Sequence, residues 1–136
     1  MREQDAKQLA ERYHAEIYGA GDYGVADEIL SPDFAVFGTG CPEGGGRGPA
    51  FVKEDAAAYR AAFTVDLSHD TVLAAGDHVV IAWTFRGEHV GPFGELQATH
   101  RKVVVSGIDL FRIEAGRLAE LRQYWDLASL TAQLEG

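Results

Sequence analysis

The chain has 136 residues, 46% of them hydrophobic and 24% charged, and a formal net charge of -9. That length suits one domain with a sizeable core, and the composition is that of a soluble globular protein, not a disordered one. Lys and Arg are dispersed with no basic patch. The acidic balance therefore argues against nucleic acid or an anionic membrane surface as partner, and no apolar run is long enough to span a bilayer.

The start, Met1-Arg2-Glu3-Gln4-Asp5, lacks the apolar segment of a signal peptide. The single cysteine, Cys41, has no partner for an internal disulfide. Both set the expectation of a cytoplasmic protein. Residues Glu3 to Gly19 read as an amphipathic helix, with Ala6, Leu9, Tyr13 and Ile17 recurring at helical spacing. Asp22 is the expected N-cap of a short second helix through Ile29 and Leu30, stopped by Ser31-Pro32. Phe34 to Phe37 is a short strand, and Gly38 to Gly48 reads as a mobile surface loop. Pro49 opens a third helix, on which Val52, Ala56, Tyr59 and Phe63 share a face.

From Val65 the period changes to two. Asp66 to Ala74 and Val79 to Arg86 are strands joined by a Gly76-Asp77 turn, and Val79, Ile81, Trp83 and Phe85 form a core face. The same parity carries His89 toward the interior if no bulge intervenes. Lys102 to Glu114 and Arg117 to Trp125 form a long hairpin about Ala115-Gly116, followed by a helix from Asp126 to Leu134. Helices followed by hairpin-linked strands give an α+β domain with a mostly antiparallel sheet. Between Val103 and Ile113 both strand faces are apolar, so one needs a cover that the helices do not supply. The expected cover is a second copy, a homodimer packed through the sheet.

The candidate chemistry sits on the last hairpin. Asp126 follows Trp125 at the strand-to-helix junction and reads either as a helix N-cap or as a general base at the end of a cavity, two roles that can coexist. Glu120, Arg122 and Tyr124 share its parity, as a solvated outer row or as a polar pocket wall. Arg112 and Asp109 lie on opposite faces of the preceding strand, and parity favours Arg112 for the same pocket. His89 is the histidine expected to reach a site. His14, beside Tyr13 on the first helix, is expected to be exposed, and His78 to lie on a turn.

The even spacing of His78, His89 and His100 matches no zinc motif. Gly38-Thr39-Gly40 is followed by Pro42 and Gly44, which breaks the dinucleotide fingerprint, and no phosphate loop is present. Neither a metal nor a cofactor is expected.

Several short stretches fall in a familiar order: Arg12-Tyr13 to Gly21-Asp22, Ile29-Leu30-Ser31-Pro32-Asp33-Phe34, Ala62-Phe63 with Asp66, Gly76-Asp77-His78-Val79-Val80, and Arg86-Gly87-Glu88-His89-Val90-Gly91. They continue with Gly107-Ile108-Asp109-Leu110-Phe111-Arg112-Ile113, Gly116-Arg117-Leu118-Ala119-Glu120, Trp125-Asp126 and Gln133-Leu134. Together they resemble the SnoaL-like polyketide cyclase family over nearly the whole chain. The resemblance implies a nuclear-transport-factor-like cone: a curved, mostly antiparallel sheet around a pocket closed by three N-terminal helices, with a short C-terminal helix. Members are similar in using an aspartate at the position of Asp126 for an intramolecular aldol ring closure without metal or cofactor. Transferred here, Asp126 is the catalytic acid/base. His89, Arg112, Arg122 and Tyr124 are orienting or oxyanion-stabilising candidates, and Tyr13, Trp83 and Phe85 are pocket walls. The implied ligand is an apolar, carbonyl-bearing small molecule. The alternative is a non-catalytic module that holds such a ligand. Phe37 departs from the family pattern, where a histidine is frequent, and proteins of this fold carry out several reactions.

Overall fold

The computed structural model describes residues 1–136. Helix α1 (Glu3–Arg12) forms where the sequence spacing places it, with Glu3 and Asp5 in its first turn complementing the helix dipole. From Tyr13 the pitch widens, and Tyr13–Gly19 is π-helical, closing with the Ala20 N–H donating to the Ala15 carbonyl at 2.9 Å. Such segments are rare and gather at functional sites. Here Tyr13, His14 and Ile17 are buried. Arg60 secures the end of the segment by donating to the carbonyls of Tyr18 and Gly19 at 3.0 and 2.6 Å, satisfying acceptors that a helix end leaves open.

Helix α2 (Val25–Ile29) has no side-chain cap: Asp22 contributes only its backbone carbonyl, which accepts from the Val25 N–H. Strand β1 (Leu30–Gly38) begins four residues before the expected start, and Pro32 falls at an irregularity in its pairing with β6, where a missing donor is tolerated. The segment expected to be an unstructured loop contains β2 (Gly46–Arg47), paired with Ala35 and Val36 of β1. Helix α3 (Gly48–Ala62), with Pro49 in its first turn, buries Val52, Ala56 and Ala62.

Strands β3 (Asp66–Ala75), β4 (His78–Glu88), β5 (Lys102–Glu114) and β6 (Arg117–Trp125) complete one six-stranded sheet of order β2-β1-β6-β5-β4-β3. All neighbours are antiparallel except β1 and β6. The fold is thus the expected α+β arrangement, with a curled, mostly antiparallel sheet, helices on one face and the short α4 (Leu127–Glu135) at the end. Val79, Ile81, Phe111, Leu118 and Leu121 on the inner face pack against α1 and the helices after it. The opposite face leaves Val104, Ile108 and Tyr124 at least half exposed.

β5 is longer than β6, whose pairing with it begins at Gly107 and Trp125. Beyond that point Gln133 of α4 substitutes for a strand. Its side chain accepts from the Val104 N–H at 2.9 Å and donates to the Val104 carbonyl at 2.8 Å, covering an edge that would otherwise be open. No helix is long and apolar enough to cross a membrane.

Candidate active site

Between the helices and the inner face of the sheet lies a cavity of about 110 Å³. Phe63, Trp83, Phe85 and Trp125 form aromatic walls, and Val65, Leu67, Val105 and Leu130 fill the gaps between them. Gly107 makes room for the Trp83 indole and the Trp125 Cβ: a Cβ there would lie 2.4 Å from Cζ2 of Trp83 and 2.8 Å from Cβ of Trp125. The remaining lining residues are Tyr13, His14, Tyr18, Asp55, Tyr59, Asp109 and Gln123, so the cavity has polar groups but no lysine or arginine.

The π-helical segment brings His14 against β5. His14 Nε2 lies 2.7 Å from Asp109 Oδ2, and its Nδ1 lies 3.0 Å from Nε2 of His69. His14 and Asp109 are 4% and 3% exposed, so this pair is held in a largely dry interior. With Asp109 ionised, His14 donates through Nε2–H; a neutral His14 accepts at Nδ1 from the Nε2–H of His69, whereas a charged His14 donates there to His69. Burial, and next His14, lower the pKa of His69, which favours a neutral His69. Nδ1 of His69 is 4.0 Å from the Glu11 carboxylate, which extends the row toward the surface.

Two buried polar atoms in the lining have no protein partner: Asp109 Oδ1 and Trp83 Nε1. An unsatisfied buried group costs about 1–3 kcal/mol, so a ligand offering one donor and one acceptor recovers free energy here.

A second polar group lies on the helix side. The Tyr18 hydroxyl donates to Asp55 Oδ2 at 2.7 Å, and the Tyr13 and Tyr18 rings are 5.4 Å apart. Burial raises the pKa of Asp55, an effect that the hydrogen bond from Tyr18 opposes only in part. Burial likewise drives the phenols of Tyr13, Tyr18 and Tyr59 well up. The Cys41 thiol is pushed up to about 11, by burial first and then by Asp55 and Asp109, which argues against a thiolate nucleophile near neutral pH.

The family model for SnoaL-like polyketide cyclases matches residues 8–134. The chain belongs to that family. Among solved structures, TsrD from Streptomyces laurentii is 28% identical to this SnoaL-like chain with a TM-score of 0.86, covering 98% of it and 97% of TsrD. A candidate SnoaL-like polyketide cyclase from Jannaschia sp. CCS1 is 23% identical, with a TM-score of 0.89 and coverage of 98% and 94%. An LEH-like epoxide hydrolase from M. tuberculosis is 16% identical, with a TM-score of 0.74 and coverage of 98% and 91%. The last two likenesses concern the fold alone. No curated protein matches the chain.

In this SnoaL-like chain Tyr13, Trp83 and Phe85 line the cavity. Asp126 does not: it is exposed, and its Oδ1 accepts from the Ser129 N–H at 2.8 Å as the N-cap of α4. The expectation of an inward carboxylate is corrected by strand parity. Gln123 and Trp125 face the cavity, which sends Arg122, Tyr124 and Asp126 outward. Arg122 lies over the Phe37 ring at 5.0 Å, and Tyr124 is 56% exposed. Arg112 is likewise outside, beside Glu114, and Asp109 is the one of that pair that faces inward.

His89 is fully buried but does not line the cavity. It packs on Phe63 and accepts at Nδ1 from the Thr99 N–H at 3.1 Å, holding the chain between β4 and β5. His14, expected to be exposed, is buried. The sequence did carry that signal, because His14 lies four residues after Ala10 and eight after Ala6, on the same buried stripe. Asp55 was legible as an acid within the face of Val52 and Tyr59, whereas Asp109 shares a parity with Val105 and Phe111 on a strand that is apolar on both faces, which leaves its side open.

Proposed function

We propose that this cavity is an active site for acid–base chemistry on an apolar, carbonyl-bearing small molecule, with Asp109 as the proton-transferring group and His14 as its partner. The observation that supports it best is the buried His14–Asp109 pair with Asp109 Oδ1 unpartnered in an otherwise aromatic cavity. The N–H of His14 holds Oδ2 and fixes the carboxylate plane, leaving Oδ1 to take a proton from an acidic carbon. His69, hydrogen-bonded to the other nitrogen of His14, holds that ring in place. A positioned general base contributes about 10²- to 10⁴-fold to rate.

Membership in a cyclase family makes intramolecular aldol ring closure a natural reaction to follow such a deprotonation. The direct test is hydrogen–deuterium exchange at the activated carbon of aryl ketones and β-keto esters, followed by NMR in deuterated water. The wild-type protein accelerates exchange, and Asp109→Asn loses at least about 100-fold of that acceleration. Equal exchange by both proteins rejects the role of Asp109. Tight binding of these compounds without any exchange by the wild-type protein identifies a binding module instead.

We propose in addition that a second copy of the chain covers the outer sheet face, where Val104, Ile108 and Tyr124 are exposed.

A further inference from the structure

We propose that Tyr18, backed by Asp55, forms a second catalytic pole of the cavity, a phenol donor that holds the oxygen of an enolate, so that the substrates are ketones or esters with an acidic C–H beside the carbonyl. It rests on the proposed role of Asp109 and adds where the substrate oxygen sits.

Tyr18 and Asp55 both line the cavity and are 2.7 Å apart. They come from different elements, the π-helical segment and α3. Those elements are locked together by the two hydrogen bonds from Arg60 to the carbonyls of Tyr18 and Gly19, so the pair is preorganised. His14 and Tyr18 stand four residues apart on the same segment, which aims one at Asp109 on the sheet and the other at Asp55 on the helix layer.

The two carboxyl groups have different surroundings. Asp109 has an imidazole N–H as partner. Asp55 has a phenol, and the other titratable groups that face it are Tyr13, Tyr59 and Cys41, none of them a cation. Burial already disfavours the Asp55 carboxylate, and an anionic oxygen bound beside it acts in the same direction. The proton then stays on the pair: Asp55 donates to the Tyr18 oxygen and Tyr18 donates to the ligand. One carboxyl group held by an imidazole N–H and one paired with a buried phenol offer a base and an acid within one cavity.

The step balances without a co-reactant. The C–H proton passes to Asp109 Oδ1, the C–H electron pair becomes the carbon–carbon double bond of the enolate, and the carbonyl π pair moves onto the oxygen that Tyr18 holds. The unpartnered Trp83 Nε1 is a further donor in the same lining.

Substituted phenols of increasing acidity mimic an enolate and need no knowledge of the natural substrate. Binding to the wild-type protein at fixed pH, read by calorimetry, is expected to tighten as the phenol becomes more acidic. Tyr18→Phe and Asp55→Asn are each expected to weaken the most acidic phenol at least tenfold and to flatten that trend. Asp109→Asn is expected to keep or strengthen phenol binding, because it removes a negative charge from the cavity. Wild-type affinity that does not follow acidity, or unchanged affinity in both Tyr18→Phe and Asp55→Asn, overturns the proposal. Loss of carbon exchange in Asp109→Asn alongside unchanged phenol binding in the other two variants removes this pole and leaves the acid–base role of Asp109 standing. The reverse pattern removes the role of Asp109 alone.

Discussion

A carboxylate at a helix start is useful to the backbone wherever the next strand residue points, and Asp126 serves α4 from the outside of the sheet. Replacing it with alanine removes the acceptor of the Ser129 N–H. Asp126→Ala is expected to lower stability by about 0.5–2 kcal/mol in urea denaturation while leaving phenol affinity at the wild-type value. Asp55 has the opposite signature. Its folded pKa lies above that of the unfolded chain, so its favourable contribution is complete below the unfolded value and is lost as pH rises through the folded one. Asp55→Asn should therefore melt at a higher temperature than wild type near pH 7, with the gap closing toward pH 4, as scanning calorimetry across that range would record. Tyr13, Trp83 and Phe85 could be chosen from the sequence because bulky apolar residues on a periodic face have few other places to go. Asp109 and Arg112 could not be ranked from sequence in the same way. The ranking depended on which face of β5 the cavity occupies, and that is set by packing against helices far away in the chain.

At the scale of elements, the interior depends on close approach. Gly107 lets the indole of Trp83 and the Cβ of Trp125 lie against β5, and Gly107→Ala puts a methyl group within 2.4 Å of the indole. The ring has to move into the cavity. The substitution is expected to cost about 1–3 kcal/mol and to shift tryptophan emission, with weaker phenol binding in the same preparation. The hairpins and the third helix were legible because period and turn residues agreed. The π-helical pitch of Tyr13–Gly19 was not, since an α-helix with the same apolar spacing reads identically. The pairing of Gly46–Arg47 with β1 was hidden for a related reason: two residues between glycines show no alternation, and their order comes from a neighbouring strand edge.

For the whole molecule, the order of helices and strands is enough to give the α+β class, and the short matched stretches carry the family resemblance. How the sheet's outer face is covered is a separate matter. Val104 and Ile108 are 50% and 51% exposed on β5, with Tyr124 beside them on β6. Sedimentation velocity at micromolar concentration should show a dimer for wild type and a monomer for Ile108→Asp, because a buried unpaired carboxylate at an interface costs several kcal/mol. A wild-type monomer under those conditions removes the second copy.

The lining without lysine or arginine, inside a chain of net charge -9, also bears on what can enter. Free acids, phosphorylated metabolites and other permanent anions meet an unfavourable field and no counter-ion, so a carboxyl group on the incoming compound has to be masked as an ester or amide. In the proposed reaction no net charge is added: the negative charge of Asp109 would pass to the enolate oxygen as the carbon gives up its proton, and return before the product departs.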